Sequence, residues 1–260
     1  MTTYLSQYPP AQNNTYVKST TWWGSPYAGD DPRYYSWYAT NPSKSLTGNH
    51  VDNAWVSAQD SVTNQRFHID LGSAKVIQRI YYENGHHYGS YTDRGAKTFT
   101  VWGSNTASAF ATLTYATDTN WTQITASQST FDPHVSADRS DAKYITLTNT
   151  TAYRYYAVKI ANNWGGAFYM SLRRIVLQIP MNPDAPTNVA ATDGTHSDKV
   201  VVTWSKSAGA TGYKVYRGTT LVVTLGDVAT YNDTGAPAPT ITAGTCSASD
   251  GTSNAHVALS

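Results

Sequence analysis

A single glutamate, Glu83, stands beside sixteen aspartates in this 260-residue chain. That imbalance removes most helical folds, because long helices draw on Glu, Lys and Leu far more heavily than this. Thr, Ser, Asn, Gly, Val and Tyr dominate instead. Such residues suit pleated strands and the turns between them. The expected fold class is all-β, with length enough for one large or two ordinary domains.

Charge narrows the partners. The formal net charge is +1 and only 13% of residues are charged, with no basic block and no acidic tail. The electrostatic footprint of a nucleic-acid or anionic-membrane binder is missing, so neither partner is expected. Cys246 is the one cysteine, which excludes an internal disulfide and leaves stability to core burial. Cysteine usage therefore assigns no redox compartment. The N-terminus, Met1 to Pro10, carries neither a basic n-region nor an apolar core, and no run is long enough to cross a membrane. A chain without an export leader reads as a trimmed secreted module or as a protein assembled in the cytosol and released by lysis, as a bacteriophage virion component is.

Aromatic residues mark a division near residue 180. Seven of eight Trp, seventeen of twenty Tyr and all five Phe precede it. Pro180, Pro183 and Pro186 then recur at intervals of three, which fixes φ and removes donors, so residues 180–187 read as a semi-extended linker. The expected organisation is a domain over 1–179, the linker, and a second domain over 188–260.

Within 1–179 about eight strands are expected. Phe67–Leu71 alternates and stops at Gly72; Val76–Tyr82 and Thr98–Ser104 follow; later strands lie around Trp121, Lys143, Tyr155 and Leu172. The order of Trp55, the Asp70-Leu71-Gly72 strand, the Val76–Tyr82 strand and the Thr98–Ser104 strand resembles the discoidin family, also called the coagulation factor 5/8 type C domain. Arg154–Ile160 followed by Asn162-Asn163-Trp164-Gly165-Gly166 resembles the penultimate strand of that family and its exit loop. The resemblance spans residues 40–180. It implies a jelly-roll β-sandwich that binds sugars or lipid headgroups.

In the second domain, Val200–Trp204 and Gly212–Arg217 alternate as half-buried strands. The Trp on one and the Tyr on the next resemble the B and C strands of a fibronectin type III domain over residues 184–235. No closing strand is legible in the Ala/Thr/Ser/Gly-rich residues 236–260, so the sandwich is expected to be truncated or to close in an unread way.

Three loops concentrate the candidate ligand residues: Trp22 and Trp23 in the first; His86, His87, Tyr88, Tyr91 and Arg94 in the second; Asn163, Trp164, Phe168 and Tyr169 in the third. Tyr and Trp offer rigid apolar area with a polar tip, while Arg and Asn match paired hydroxyls. The discoidin resemblance implies that Arg94 contacts sugar and that Trp164 stacks on it, with His86 or His87 as a third contact. Trp22 and Trp23 read equally as residues that close the sandwich or meet a neighbouring subunit. Gly165 and Gly166 let the Trp164 loop stand out from its sheet.

Metal chemistry is not expected. Adjacent histidines diverge, and His134 and Asp93 are the only nearby supplements to His86 and His87. The family's calcium turn corresponds to Leu46–Asn53, but Arg173 and Arg174 stand in the last strand where a Glu ligand belongs, so calcium is doubted and no cofactor is expected. Catalysis finds no support either. A glycosidase needs two opposed carboxylates, and neither a nucleophile elbow, a zinc helix nor a phosphate loop occurs. The expected function is a non-enzymatic, glycan-binding component of a virion surface, such as a tail fibre, receptor-binding or capsid-decorating protein that attaches to host polysaccharide. It would be a homo-oligomer or sit on a larger particle with other virion proteins, where repetition supplies avidity. Two alternatives stay open: an assembly protein whose aromatic loops form protein interfaces, and an accessory fragment of a secreted, extracellular or cell-surface glycoside hydrolase.

Overall fold

A computed structural model describes residues 3–24, 32–181, 183, 185–192, 195–207, 210–236 and the strand 255–259. Its contacts fall into two units, Tyr4–Pro180 and Met181–Ser260, the latter joined by Met1–Thr3. Cys246 lies outside the described residues.

The first unit contains β1 (Tyr4–Gln7), β2 (Val17–Ser19), β3 (Trp55–Val56), β4 (Thr63–Lys75), β5 (Arg79–Asn84), β6 (Phe99–Ser104), the five-residue helix α1 (Ala107–Ala111), β7 (Thr122–Ala126), β8 (Lys143–Thr148), β9 (Tyr153–Asn162) and β10 (Ser171–Pro180). The strands follow the order β1-β10-β5-β8-β7-β6-β9-β4-β2, with β3 also on β10. The sheet doubles over where β7 meets β8 in only two residue pairs, Thr125 with Thr148 and Ala126 with Leu147. Two antiparallel layers result, and the all-β, discoidin-like sandwich is what the chain forms.

Alternation along β4 decides what each layer buries. Phe67 and Ile69 face Val158 and Tyr156 of β9 and enter the core with Trp55, Ile80, Phe99, Ile145, Leu172 and Ile175. Arg66, His68 and Asp70 project from the opposite face. That face is not left to solvent: residues 105–121 cross it, bringing Phe110 and Trp121 over Tyr155 and Ala157. Arg66 is fully buried there, and its Nη1 donates to the carbonyls of Thr114 and Thr117 and to Asp118 Oδ1. Lys159 reaches the same carboxylate at 2.8 Å. Arg66 Nε donates to His68 Nε2, so the opposite nitrogen carries the proton and donates to the Phe110 carbonyl at 2.9 Å. A buried cation persists here because carbonyl and carboxylate oxygens replace its water.

Two sequence expectations are corrected. Gly72 does not end its strand. It sits at φ +73° within β4, where the register with β9 shifts between Asp70 and Lys75, so it makes a bulge. A Cβ at this position would lie 2.5 Å from Pro10 Cγ. Pro180 belongs to β10, paired with Tyr4 of β1 beyond the last residue that β5 contacts, where a missing N–H costs nothing on the β5 side.

The second unit holds β11 (Thr187–Ala191), β12 (Val200–Ser205), β13 (Tyr213–Arg217), β14 (Thr220–Leu225), β15 (Thr230–Asp233) and β16 (Ala255–Leu259). These form two sheets, β11-β12-β15 and β14-β13-β16, over a core of Val202, Trp204, Tyr213 and Val215. Arg217 of β13 pairs with Asp233 of β15 at 2.7 Å and ties one sheet to the other. A strand drawn from residues 236–260 therefore does pair with β13.

Candidate functional site

Topology brings three segments to one end of the first sandwich: those between β2 and β3, between β5 and β6, and between β9 and β10. Side chains from these loops meet in a closed circuit. Trp23 stacks on Tyr34 (centroids 4.8 Å, 12°) and, by its other face, on Tyr169 (4.5 Å, 20°). The Arg94 guanidinium carbon lies 5.4 Å from the Tyr169 ring and 4.1 Å from that of Tyr91. Tyr91 approaches His87 (6.2 Å), His87 meets His50 (4.6 Å), and His50 meets the Tyr34 ring edge-on (5.6 Å).

The loops are held by short polar contacts. Asn163 is buried: its amide nitrogen donates to the carbonyls of Gly166 (2.7 Å) and Tyr169 (3.0 Å), and its Oδ1 accepts from Gly165. Gly166 lets Arg94 approach, since a Cβ there would stand 2.8 Å from Arg94 Cγ and 2.9 Å from its backbone nitrogen. Two guanidinium groups of β10 clamp the 44–53 turn. Arg173 Nη2 donates to the Gly48 carbonyl (3.1 Å) and Arg174 Nη2 to the Lys44 carbonyl (2.6 Å). Those carbonyls, in the turn that the resemblance assigns to calcium, therefore face cations of the protein itself. Burial lowers the Arg173 pKa to about 10, which still leaves it charged at neutral pH.

Not all the residues singled out in the sequence reach this circuit. His86 is buried, with both ring nitrogens bonded inside the fold. It accepts from the Gly89 N–H at Nδ1, donates from Nε2 to the Leu46 carbonyl, and stacks on His134 at 3.8 Å. Burial first, then the neighbouring bases, lowers its pKa to about 4. His87 turns the other way, toward His50, so the pair cannot share a metal; among the described residues no three His, Cys, Asp or Glu side chains group to hold one. Asn163 is likewise occupied internally. Trp164 is tethered elsewhere: its Nε1 donates to the Phe131 carbonyl (3.1 Å) and Lys97 Nζ stands 4.5 Å over its ring. Trp22 packs on the sandwich core, and Trp23, stacked on both faces, offers a ligand only its edge.

Tyr88, Tyr91 and Phe168 behave differently. They are 57%, 52% and 52% exposed. All three also adopt the left-handed backbone region, at φ +51°, +56° and +70°. The other described non-glycine residues at positive φ are Asp52, Asp60, Asn64, Asn120 and Asn188, whose short polar side chains tolerate it. A bulky aromatic there costs about 1–3 kcal/mol.

His50, Tyr34 and Arg173 were not singled out as ligand residues in the sequence. His50 lies in a turn weighed only for calcium, and loop residues carry no periodicity that would reveal convergence. Burial, followed by His87, Arg173, Arg94 and His86, lowers the His50 pKa to about 4.

An all-β sandwich with an aromatic, cation-bearing cluster on its loop end is the class defined here. The chain belongs to the DUF5000 family, a domain of unknown function, whose family model matches residues 44–178. No curated protein matches. Solved structures similar to it include the chitosan-binding module 1 derived from a chitosanase/glucanase of Paenibacillus sp. IK-5 (20% identity, 62% of this chain and 92% of that one, TM-score 0.39). Another is the family 32 carbohydrate-binding module of Streptococcus pneumoniae EndoD (13% identity, 66% and 98%, TM-score 0.43). A third is CpGH89CBM32-5 of Clostridium perfringens, in complex with GalNAc-β-1,3-galactose (14% identity, 62% and 92%, TM-score 0.41).

Proposed function

We propose that the first unit is a non-catalytic glycan-binding module whose ligand rests on the loop end, against Tyr88, Tyr91 and Phe168, with Arg94 as the polar contact. One observation carries this reading: the described residues that hold a positive φ without being Gly, Asn or Asp are the three exposed aromatics of this end. Their backbone cost is not recovered by burying their rings in the fold. A flat exposed ring recovers it by packing on the C–H face of a pyranose while a guanidinium meets ring hydroxyls. The setting we propose is a multivalent surface, a virion or a cell, because one small patch binds weakly and repetition supplies avidity.

The test is a glycan array probed with the whole chain displayed multivalently, beside Tyr91→Ala/Phe168→Ala and Trp164→Ala variants. Binding to a glycan class that the double variant loses and the Trp164 variant keeps supports the reading. No binding at high valency, together with concentration-dependent self-association that the double variant abolishes, makes the aromatics an assembly surface instead.

A further inference from the structure

The loop-end circuit carries a guanidinium, Arg94, that no carboxylate among the described residues pairs with. Arg94 forms none of the ion pairs among the described residues, which join Arg66 and Lys159 to Asp118, Lys143 to Asp141, Arg154 to Asp70, Lys206 to Asp227 and Arg217 to Asp233. Its recorded side-chain contacts are aromatic faces, which orient the guanidinium and leave its N–H donors unspent. Beneath the circuit lies Arg173, fully buried, with Nε and Nη1 lacking a hydrogen-bond partner; Asp138 and Glu83 act on it without forming an ion pair. His87 Nδ1 is buried and unpartnered as well. The groups that act on His50 are all bases: His87, Arg173, Arg94 and His86. Carboxylates on the same loops or just before β4, Asp52, Asp60 and Asp93, are exposed and form no ion pair among the described residues. Asp138, also exposed, accepts from the Gly48 N–H.

We infer that the glycan taken by this site is acidic, a polysaccharide whose pyranose rings bear a carboxylate that pairs with Arg94. The inference rests on the glycan-binding reading above and adds the ligand's charge to it. A carboxylate matches the planar guanidinium fork in a bidentate pair, which a neutral hydroxyl cannot do with equal strength. It also supplies the countercharge that Arg94 lacks among the described residues, close to apolar rings that keep the local dielectric low.

The experiment uses the full chain against immobilised polygalacturonate, polymannuronate and hyaluronate, each beside its own carboxyl-reduced counterpart, in which –COO⁻ has become –CH2OH on an unchanged backbone. Dextran sulfate serves as the ion-exchange arm. At least one acidic polymer is expected to bind, and its reduced form to bind at least about tenfold more weakly, the scale of one charge-assisted pair. Arg94→Gln is expected to weaken binding to the acidic polymer by a similar factor and to leave the reduced one unchanged. Reduced polymers held as tightly as their parents overturn the charge inference while the glycan reading stands. Dextran sulfate bound as tightly as every carboxylate polymer, by wild type and Arg94→Gln alike, overturns it too, as general ion exchange. Binding to no polymer of either kind by folded protein overturns both.

Discussion

Acid should unfold the first unit through two histidines that contact no ligand. His68 and His86 are 0% and 2% exposed, and burial lowers their pKa values to about 3 and about 4 from 6.5. Each stays neutral because its nitrogens are already spent on Arg66 and Phe110, or on Gly89 and Leu46. The sign follows from linkage. Below pH 6.5 the unfolded chain takes up a proton at each imidazole, while the folded chain refuses it until about pH 4 or lower. Stability is therefore full above 6.5 and falls as pH drops. Between pH 7 and pH 5 the loss is about 2 kcal/mol per imidazole and about 4 kcal/mol for both, whatever the folded values are so long as they lie well below 5. That is a large share of the roughly 5–15 kcal/mol that holds a domain folded. Urea unfolding at pH 7, 6 and 5, followed by tryptophan fluorescence, measures it, since seven of eight Trp precede residue 180. A His68→Gln/His86→Gln variant, whose amides each keep one donor and one acceptor, should lose about 4 kcal/mol of that pH dependence, even if it starts less stable. The same slope in variant and wild type would refute the reasoning, as would either imidazole titrating near 6.5 in the folded protein by NMR.

Two further outcomes test the packing. Trp55→Ala removes a fully buried indole that donates to the Thr21 carbonyl at 2.9 Å, and should cost about 3–5 kcal/mol in denaturant unfolding. Gly72→Ala should cost about 1–3 kcal/mol, because it places a side chain at φ +73° and against Pro10. Gly226→Ala, where a Cβ meets nothing within 4 Å, should leave the melting temperature nearly unchanged and serves as the paired control.

The strands that the sequence reveals are those whose two faces differ. Phe67 and Ile69 against Arg66 and His68 make β4 legible, and Val202 and Trp204 do the same for β12. The strand Ala255–Leu259, which follows a Thr/Ser/Gly-rich tract, was not legible, because its pairing with β13 is a backbone contact with a segment some forty residues earlier. At the loop end, aromatic crowding pointed to segments that the fold does bring together, and Arg94 and Tyr91 meet there. Which aromatic presents a face was not legible. Trp164 and Trp23 spend theirs on Lys97, Tyr34 and Tyr169, contacts made between segments far apart in sequence. The burial of His86 was hidden for the same reason: its partner ring, His134, comes from another loop.

The clamp that β10 places on the 44–53 turn bears on how the protein is made. Arg173 reaches back 125 residues to Gly48, and Arg174 reaches back 130 to Lys44. β10 also lies between β5 and β1, so the opening strand of the unit finds its partner only in the closing one. On a ribosome, the turn that carries His50 thus stays unanchored until residues near 174 have emerged, and the loop that carries Phe168 and Tyr169 emerges just before them. Contacts of such long sequence separation form slowly, after the loop entropy has been spent. The loop end is accordingly the last part of the unit to mature, and its aromatic cluster cannot assemble on a nascent chain before the sandwich itself has closed.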